Sequence, residues 1–159
     1  MDISQFFPYP TGEAAGAAAD FDFFPNGTEE EWALLLSYTE MQLFDAGATV
    51  MEAGDHGRAF YLLTEGTLEL VSPGPRDSPR LLTATTVFGE MSFFDGRPRS
   101  VSLRAQTDGE MLRLGREAFD ALCAREPRLG QTVLLELGRI VSLRLRMRRV
   151  EGLHAEVTG

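Results

Sequence analysis

The chain of 159 residues has no lysine, a single cysteine, two histidines and no long apolar run, and each shortage removes a class of function. A lone Cys123, on what reads as an apolar helical face, excludes a disulfide framework within one chain and a four-cysteine iron–sulfur sensor. His56 and His154 are too few and too far apart for a histidine-rich metal centre, so no structural or catalytic metal and no cofactor is expected. No segment reaches the roughly 18 consecutive apolar residues that a spanning helix requires. The start, Met1-Asp2-Ile3-Ser4, lacks the basic region of a secretory signal, which makes a cytoplasmic location the expectation. With neither a metal-ligand cluster nor a nucleophile beside a base, the chain is not expected to be an enzyme.

What is present begins with charge. Twenty-four acidic residues against 15 basic ones leave a formal charge of −9, which opposes nonspecific binding to nucleic acid over the whole surface. Every lysine or arginine position is arginine, a bias that a GC-rich bacterial genome explains, and Arg139, Arg144, Arg146, Arg148 and Arg149 cluster near the end. That cluster reads as a solvated helix face or a contact to an acidic partner more readily than as a phosphate-binding stripe. The first 40 residues are acidic without a basic group, and residues 1–27 read as a flexible acidic and aromatic N-terminal arm. Within the arm Phe6-Phe7-Pro8 and Phe23-Phe24-Pro25 nearly repeat. Such pairs either dock a partner or fold back to cover apolar surface, and both readings stay open.

From Thr28 the pattern becomes that of one domain, with bounds expected at 28 and 151 and a short tail over 152–159. Thr28 followed three residues later by Glu31 predicts a capped helix, which Trp32, Leu34, Leu35 and Leu36 would pack onto the body. Short apolar runs punctuated by glycine, Thr49–Asp55 and Ala59–Leu70, predict antiparallel strands and turns. Proline cannot donate to a sheet ladder, so residues 73–79 predict a surface loop. Ser100–Ala105 and Glu110–Leu114 alternate as strands. Beyond Arg116 the period becomes helical, with Phe119, Leu122 and Cys123 before Pro127. Leu129, Val133, Leu137, Ile140, Leu143, Met147 and Val150 then form a long stripe.

The chemistry lies in Phe88-Gly89-Glu90-Met91-Ser92-Phe93-Phe94-Asp95-Gly96-Arg97-Pro98-Arg99-Ser100-Val101-Ser102. Where the chain leaves Val87-Phe88 and begins a short helical turn, the backbone N–H groups of Gly89, Met91 and Ser92 can converge on an anion. Arg99 supplies a planar fork that takes two phosphate oxygens at once, and Ser100 offers one more donor. Glu90 would repel a phosphate but accepts well from a sugar hydroxyl. A hydroxyl beside a phosphate describes a nucleotide, so Gly89, Glu90, Met91, Ser92, Arg99, Ser100 and Val101 are the candidate binding residues. The bland reading is a surface turn in which Glu90 and Arg99 merely pair.

This run resembles the phosphate-binding cassette of the cyclic-nucleotide-binding domain family, the sensor domain of catabolite-activator-like proteins. The family pattern is Phe-Gly-Glu, a variable turn, then Pro-Arg and a small residue. The resemblance implies an α+β, mainly β fold: an antiparallel jelly-roll-like β-roll with a short N-terminal helix, the cassette turn and two C-terminal helices. It implies that Glu90 binds the ribose 2′-hydroxyl and Arg99 the cyclic phosphate. It also implies cAMP as the ligand, because Ser100 stands where threonine often accompanies cGMP; cGMP and cyclic di-GMP are the alternatives. Counting from Pro127 as the family does places Arg144 near the base as a stacking lid. One departure is Thr85-Thr86, where the family usually has Gly-Asp, and it implies a different approach turn and a different affinity.

A binding domain performs no chemistry, so the expected mechanism is a ligand-driven shift in the arrangement of the last helices, read by a protein partner through the arm or the C-terminal helix. Leu134, Val141 and Leu145 flank the main stripe and predict either pairing into a homodimer or burial against the roll. The chain ends at Gly159 without a helix-turn-helix module, so direct DNA binding is not expected and a stand-alone sensor or adaptor is. The alternative is a degenerate, ligand-free domain acting as a scaffold.

Overall fold

A computed structural model describes residues 22–71 and 80–157, with side chains through Met147. The elements run α1 (Glu29–Leu36), β1 (Glu40–Phe44), β2 (Thr49–Met51), β3 (Ala59–Glu65), β4 (Leu68–Val71), β5 (Arg80–Leu82), β6 (Val87–Phe88), α2 (Glu90–Asp95), β7 (Ser102–Ala105), β8 (Gly109–Gly115), α3 (Arg116–Arg125) and α4 (Pro127–Val157). The strands form two four-stranded antiparallel sheets, ordered β1-β8-β3-β6 and β2-β7-β4-β5. The mainly β architecture expected from the sequence is therefore present.

Two apolar cores explain why β3 reads as nearly continuous hydrophobicity. Leu63 joins Leu68, Leu70, Leu82, Phe88, Leu103 and Met111 in the core between the sheets. Phe60 and Leu62 project from the other face, where a second core is completed by Phe119, Leu122, Leu129, Val133, Leu137 and Ile140 of the helices. A strand covered on both faces loses the alternation of a half-exposed one. β6 divides its two side chains in the same way, Val87 toward the helices and Phe88 into the roll.

The helices follow their sequence signals with adjustments. Thr28 caps α1 in a reciprocal box: its hydroxyl accepts from Glu31 N at 3.2 Å, and the Glu31 carboxylate accepts from Thr28 N at 2.9 Å. Of its leucines only Leu35 is buried, while Leu34 and Leu36 stay exposed because an eight-residue helix presents one narrow face to the roll. Pro127 opens α4, where its missing N–H costs nothing. α4 continues to Val157, so the domain boundary expected at 151 falls inside a helix. α3 and α4 approach closely at Gly130, where an added Cβ would lie 2.5 Å from Cys123 Sγ and 3.2 Å from its Cα. Burial and Asp120 push the Cys123 thiol above its ordinary range, with Arg116 opposing.

Residues 22–27 are seated on the domain, the fold-back alternative that the sequence left open for the second Phe pair. Phe23 and Phe24 are buried, because their rings complete an aromatic cluster that Trp32 and Phe60 would otherwise expose. The first pair, Phe6-Phe7, and the loop at 73–79 lie outside the described residues. Among the described residues no helix is long and apolar enough to cross a membrane, and no group of three metal-ligating side chains converges.

Candidate functional site

The candidate site is built where β6 runs into α2. Gly89 takes φ +77°, a left-handed conformation that turns the chain from β3's neighbour into the helix. An added Cβ would also stand 2.8 Å from Arg99 Nη1, so any larger residue would have to displace the guanidinium. That guanidinium donates to Gly89 O at 2.7 Å and lies 5.5 Å from the centroid of the Tyr61 ring, which itself stacks on Phe88 at 5.1 Å. The Arg99 backbone is fixed on both sides, donating to Asp55 O and accepting from Gly54 N, each at 2.8 Å. Arg99 is thus a buried, sterically determined cation, 6% exposed.

α2 places the remaining cassette residues through one apolar anchor. Phe93 sits edge-on to Phe60 at 5.1 Å and Phe119 at 5.3 Å, pinning the six-residue helix between β3 and α3. Glu90 and Ser92 are consequently buried, and Met91 is half-buried with the Ser100 hydroxyl 3.8 Å from its sulfur. Val101 is buried in the roll core beside them. The structure therefore brings Gly89, Glu90, Met91, Ser92, Arg99, Ser100 and Val101 into one neighbourhood. Glu90 and Arg99 do not pair with each other, contrary to the bland surface-turn reading: each is buried with a different partner.

The partner of Glu90 is Arg144. Its Nη1 lies 2.7 Å from Glu90 Oε1, both side chains are 1% exposed, and its Nη2 donates to Val87 O. Arg144 therefore ties α4 to the start of the cassette with its guanidinium on a carboxylate and a carbonyl. Ile140 and Arg144 occupy the same face one turn apart, which is why Arg144 is fully buried and Leu143 of the expected stripe is only half-buried. The second Glu90 oxygen, Oε2, is buried and has no hydrogen-bond partner among the described residues. A buried carboxylate oxygen left in that condition is a strong acceptor for a hydroxyl.

The approach turn explains the Thr85-Thr86 departure. Thr85 has φ +73°, the region in which glycine is favoured, and its N–H donates to Leu63 O at 2.8 Å. Its hydroxyl lies 2.6 Å from Asp22 Oδ1. Tyr61, the Val87 carbonyl and this Asp22 contact belong to the site's surroundings and had no signal in the linear sequence beyond Tyr61's place in a strand.

Residues 41–126 match the family described as "Cyclic nucleotide-binding domain", more than half of the chain. The chain belongs to the cyclic-nucleotide-binding domain family, of the catabolite-activator-like type. It is 36% identical over 113 residues to a cyclic AMP receptor protein of Thermus thermophilus, covering 69% of this chain and 52% of that one. A cAMP-dependent protein kinase regulatory subunit of Emericella nidulans is 37% identical over 79 residues, 50% of this chain and 19% of that one. The chain thus spans about half or less of these relatives. The crystal structure of the Thermus thermophilus catabolite activator protein superposes with a TM-score of 0.71 at 34% identity, over 84% of this chain and 62% of that one. A cyclic nucleotide-binding domain from Methylobacillus flagellatus gives 0.74 at 26% identity, over 87% and 80%.

Proposed function

We propose that the chain is a bacterial, cytoplasmic cAMP receptor that performs no chemistry and signals to a protein partner through its C-terminal helix or its acidic N-terminal segment. The observation that carries this reading is Glu90 Oε2, an acceptor with no hydrogen-bond partner among the described residues, buried near the guanidinium-bearing turn where a ribose hydroxyl and a cyclic phosphate would lie side by side. Arg99 is the phosphate ligand in this reading, with the N–H groups of the first α2 turn and the Ser100 hydroxyl as further donors. The names of the Thermus and Emericella relatives support cAMP over cGMP or cyclic di-GMP. The Arg144 contact gives α4 a direct stake in Glu90, so a ligand that engages Glu90 acts on the helix. Leu134 and Leu145, both exposed and about three turns apart on one face of α4, support pairing with a second copy.

Calorimetric titration with cAMP, cGMP and cyclic di-GMP tests the reading. Arg99→Ala is expected to remove most affinity, by about 2–5 kcal/mol, because a desolvated phosphate loses its charge-assisted partner. Undiminished affinity in the variant would remove Arg99 from the site. A specific observation favours a second reading: Glu90 and Arg99 both have protein partners already, as a ligand-free scaffold would require. Absence of binding to all three nucleotides would select it.

A further inference from the structure

The buried pair Phe23-Phe24 does more than cover apolar surface, because Asp22 and Phe24 are hydrogen-bonded to α4 and Asp22 also to the approach turn. Asp22 O accepts from Arg139 Nη2 of α4 at 2.6 Å, while the Asp22 carboxylate accepts from the Thr85 hydroxyl of the approach turn at 2.6 Å. Phe24 N donates to Glu136 Oε2 at 3.2 Å, and Glu136 is itself paired to Arg139 at 2.8 Å. Phe23 lies 6.2 Å from Trp32 and 5.9 Å from Phe60, and Phe24 lies 5.2 Å from Trp32, so the rings lock this segment between α1 and β3. Phe24 holds φ +56° and Thr85 holds φ +73°, two left-handed non-glycine residues on either side of the Asp22 contact. Conformations of this kind persist only where surrounding contacts determine them.

Deepening the cyclic-nucleotide reading, on which it rests, we infer that Asp22–Phe24 is a strap that positions α4 over the cassette and thereby sets ligand affinity. The geometry is a closed circuit. Arg144 holds Val87 and Glu90 directly, and five residues earlier Arg139 holds the same approach segment through Asp22 and Thr85. With the strap seated, α4 keeps Arg144 on Oε1 while Oε2 stays buried with no hydrogen-bond partner among the described residues, so the acceptor is held in place before a hydroxyl arrives. With the strap released, α4 loses the Arg139–Asp22 link, and its alignment over the cassette rests on its core packing and on Arg144. Linkage is reciprocal, so ligand binding tightens the strap by the same factor. A protein that engages the strap at Asp22–Phe24 acts on the nucleotide site through Thr85 and Arg139. Thr85 and Arg139 are positioning residues in this scheme and touch no ligand.

The test uses the full chain with Arg139→Met, which keeps the apolar stem and removes the fork, and Thr85→Gly, which removes the hydroxyl while suiting the left-handed backbone. Both are expected to weaken cAMP binding about tenfold, within the ordinary range of coupling between sites. In the wild type, saturating cAMP is expected to slow amide hydrogen exchange at residues 22–24, a protection that both variants lose. A merely structural contact would not link exchange at the strap to cAMP. Unchanged affinity with retained protection in a folded variant overturns the strap and leaves the nucleotide reading standing. If the wild type binds no cAMP, the nucleotide reading fails, and exchange at residues 85–90 decides the strap: faster exchange in Arg139→Met supports the mechanical link, and unchanged exchange overturns it. Should Arg139→Met fail to fold, Thr85→Gly alone supplies the decision.

Discussion

Glu90 and Arg144 oppose unit charges at 2.7 Å in surroundings that exclude water almost completely. A pair of that kind is costly to break from one side, because the remaining charge stays buried without compensation. Arg144→Leu is therefore expected to lose about 3–5 kcal/mol of stability in urea denaturation, whereas Glu90→Leu combined with Arg144→Leu recovers most of it. Recovery absent from the double variant would show that the two residues contribute separately. Glu90→Gln, which keeps the shape, is expected to narrow the affinity gap between cAMP and its 2′-deoxy analogue; an unaltered gap would remove the ribose contact. Glu90 and Arg99 were legible as a constellation because the glycine-led turn and the Pro-Arg step carry chemistry in one short run. Arg144 was legible only as a position on a helix. Its bond to Glu90 was not, since 54 residues separate them and nothing local tells an arginine which carboxylate it will meet.

Elements succeed or fail in the sequence according to whether their burial is one-sided. The capped start of α1 was readable because Thr28 and Glu31 satisfy backbone groups within four residues, and Thr28→Ala is expected to cost about 1 kcal/mol in thermal or chemical unfolding. β1 was not readable: Met41 and Leu43 are 64% and 77% exposed, while Gln42 lies on the inward-facing side with Phe44. Its alternation is inverted at Gln42, and its identity comes from the ladder with β8. The α3–α4 contact is equally invisible in one dimension. Gly130→Ala is expected to destabilise by about 1–3 kcal/mol through overpacking against Cys123. Cys123→Ala should relieve only part of that loss, because the Cys123 Cα and Cβ remain within 3.2 and 3.3 Å of the new methyl group.

For the whole molecule, the antiparallel roll with its cassette turn and two C-terminal helices was implied by the family resemblance, whereas the order of strands and the division into two cores come from long-range pairing and packing. The seat of Phe23-Phe24 did not follow, because an aromatic pair beside proline fits a docking motif and a folded strap equally well until Trp32 and Phe60 are seen beneath it. The proposed homodimer is a prediction at this scale: sedimentation should give a dimer for the wild type and a monomer for Leu134→Glu with Leu145→Glu, both exposed on α4. A monomeric wild type would assign that row to another partner. The chain's single tryptophan is Trp32, and it lies against both strap rings. All indole emission from this protein therefore originates beside Asp22–Phe24, and the native chain carries its own optical gauge of whether that segment is seated, readable without a label.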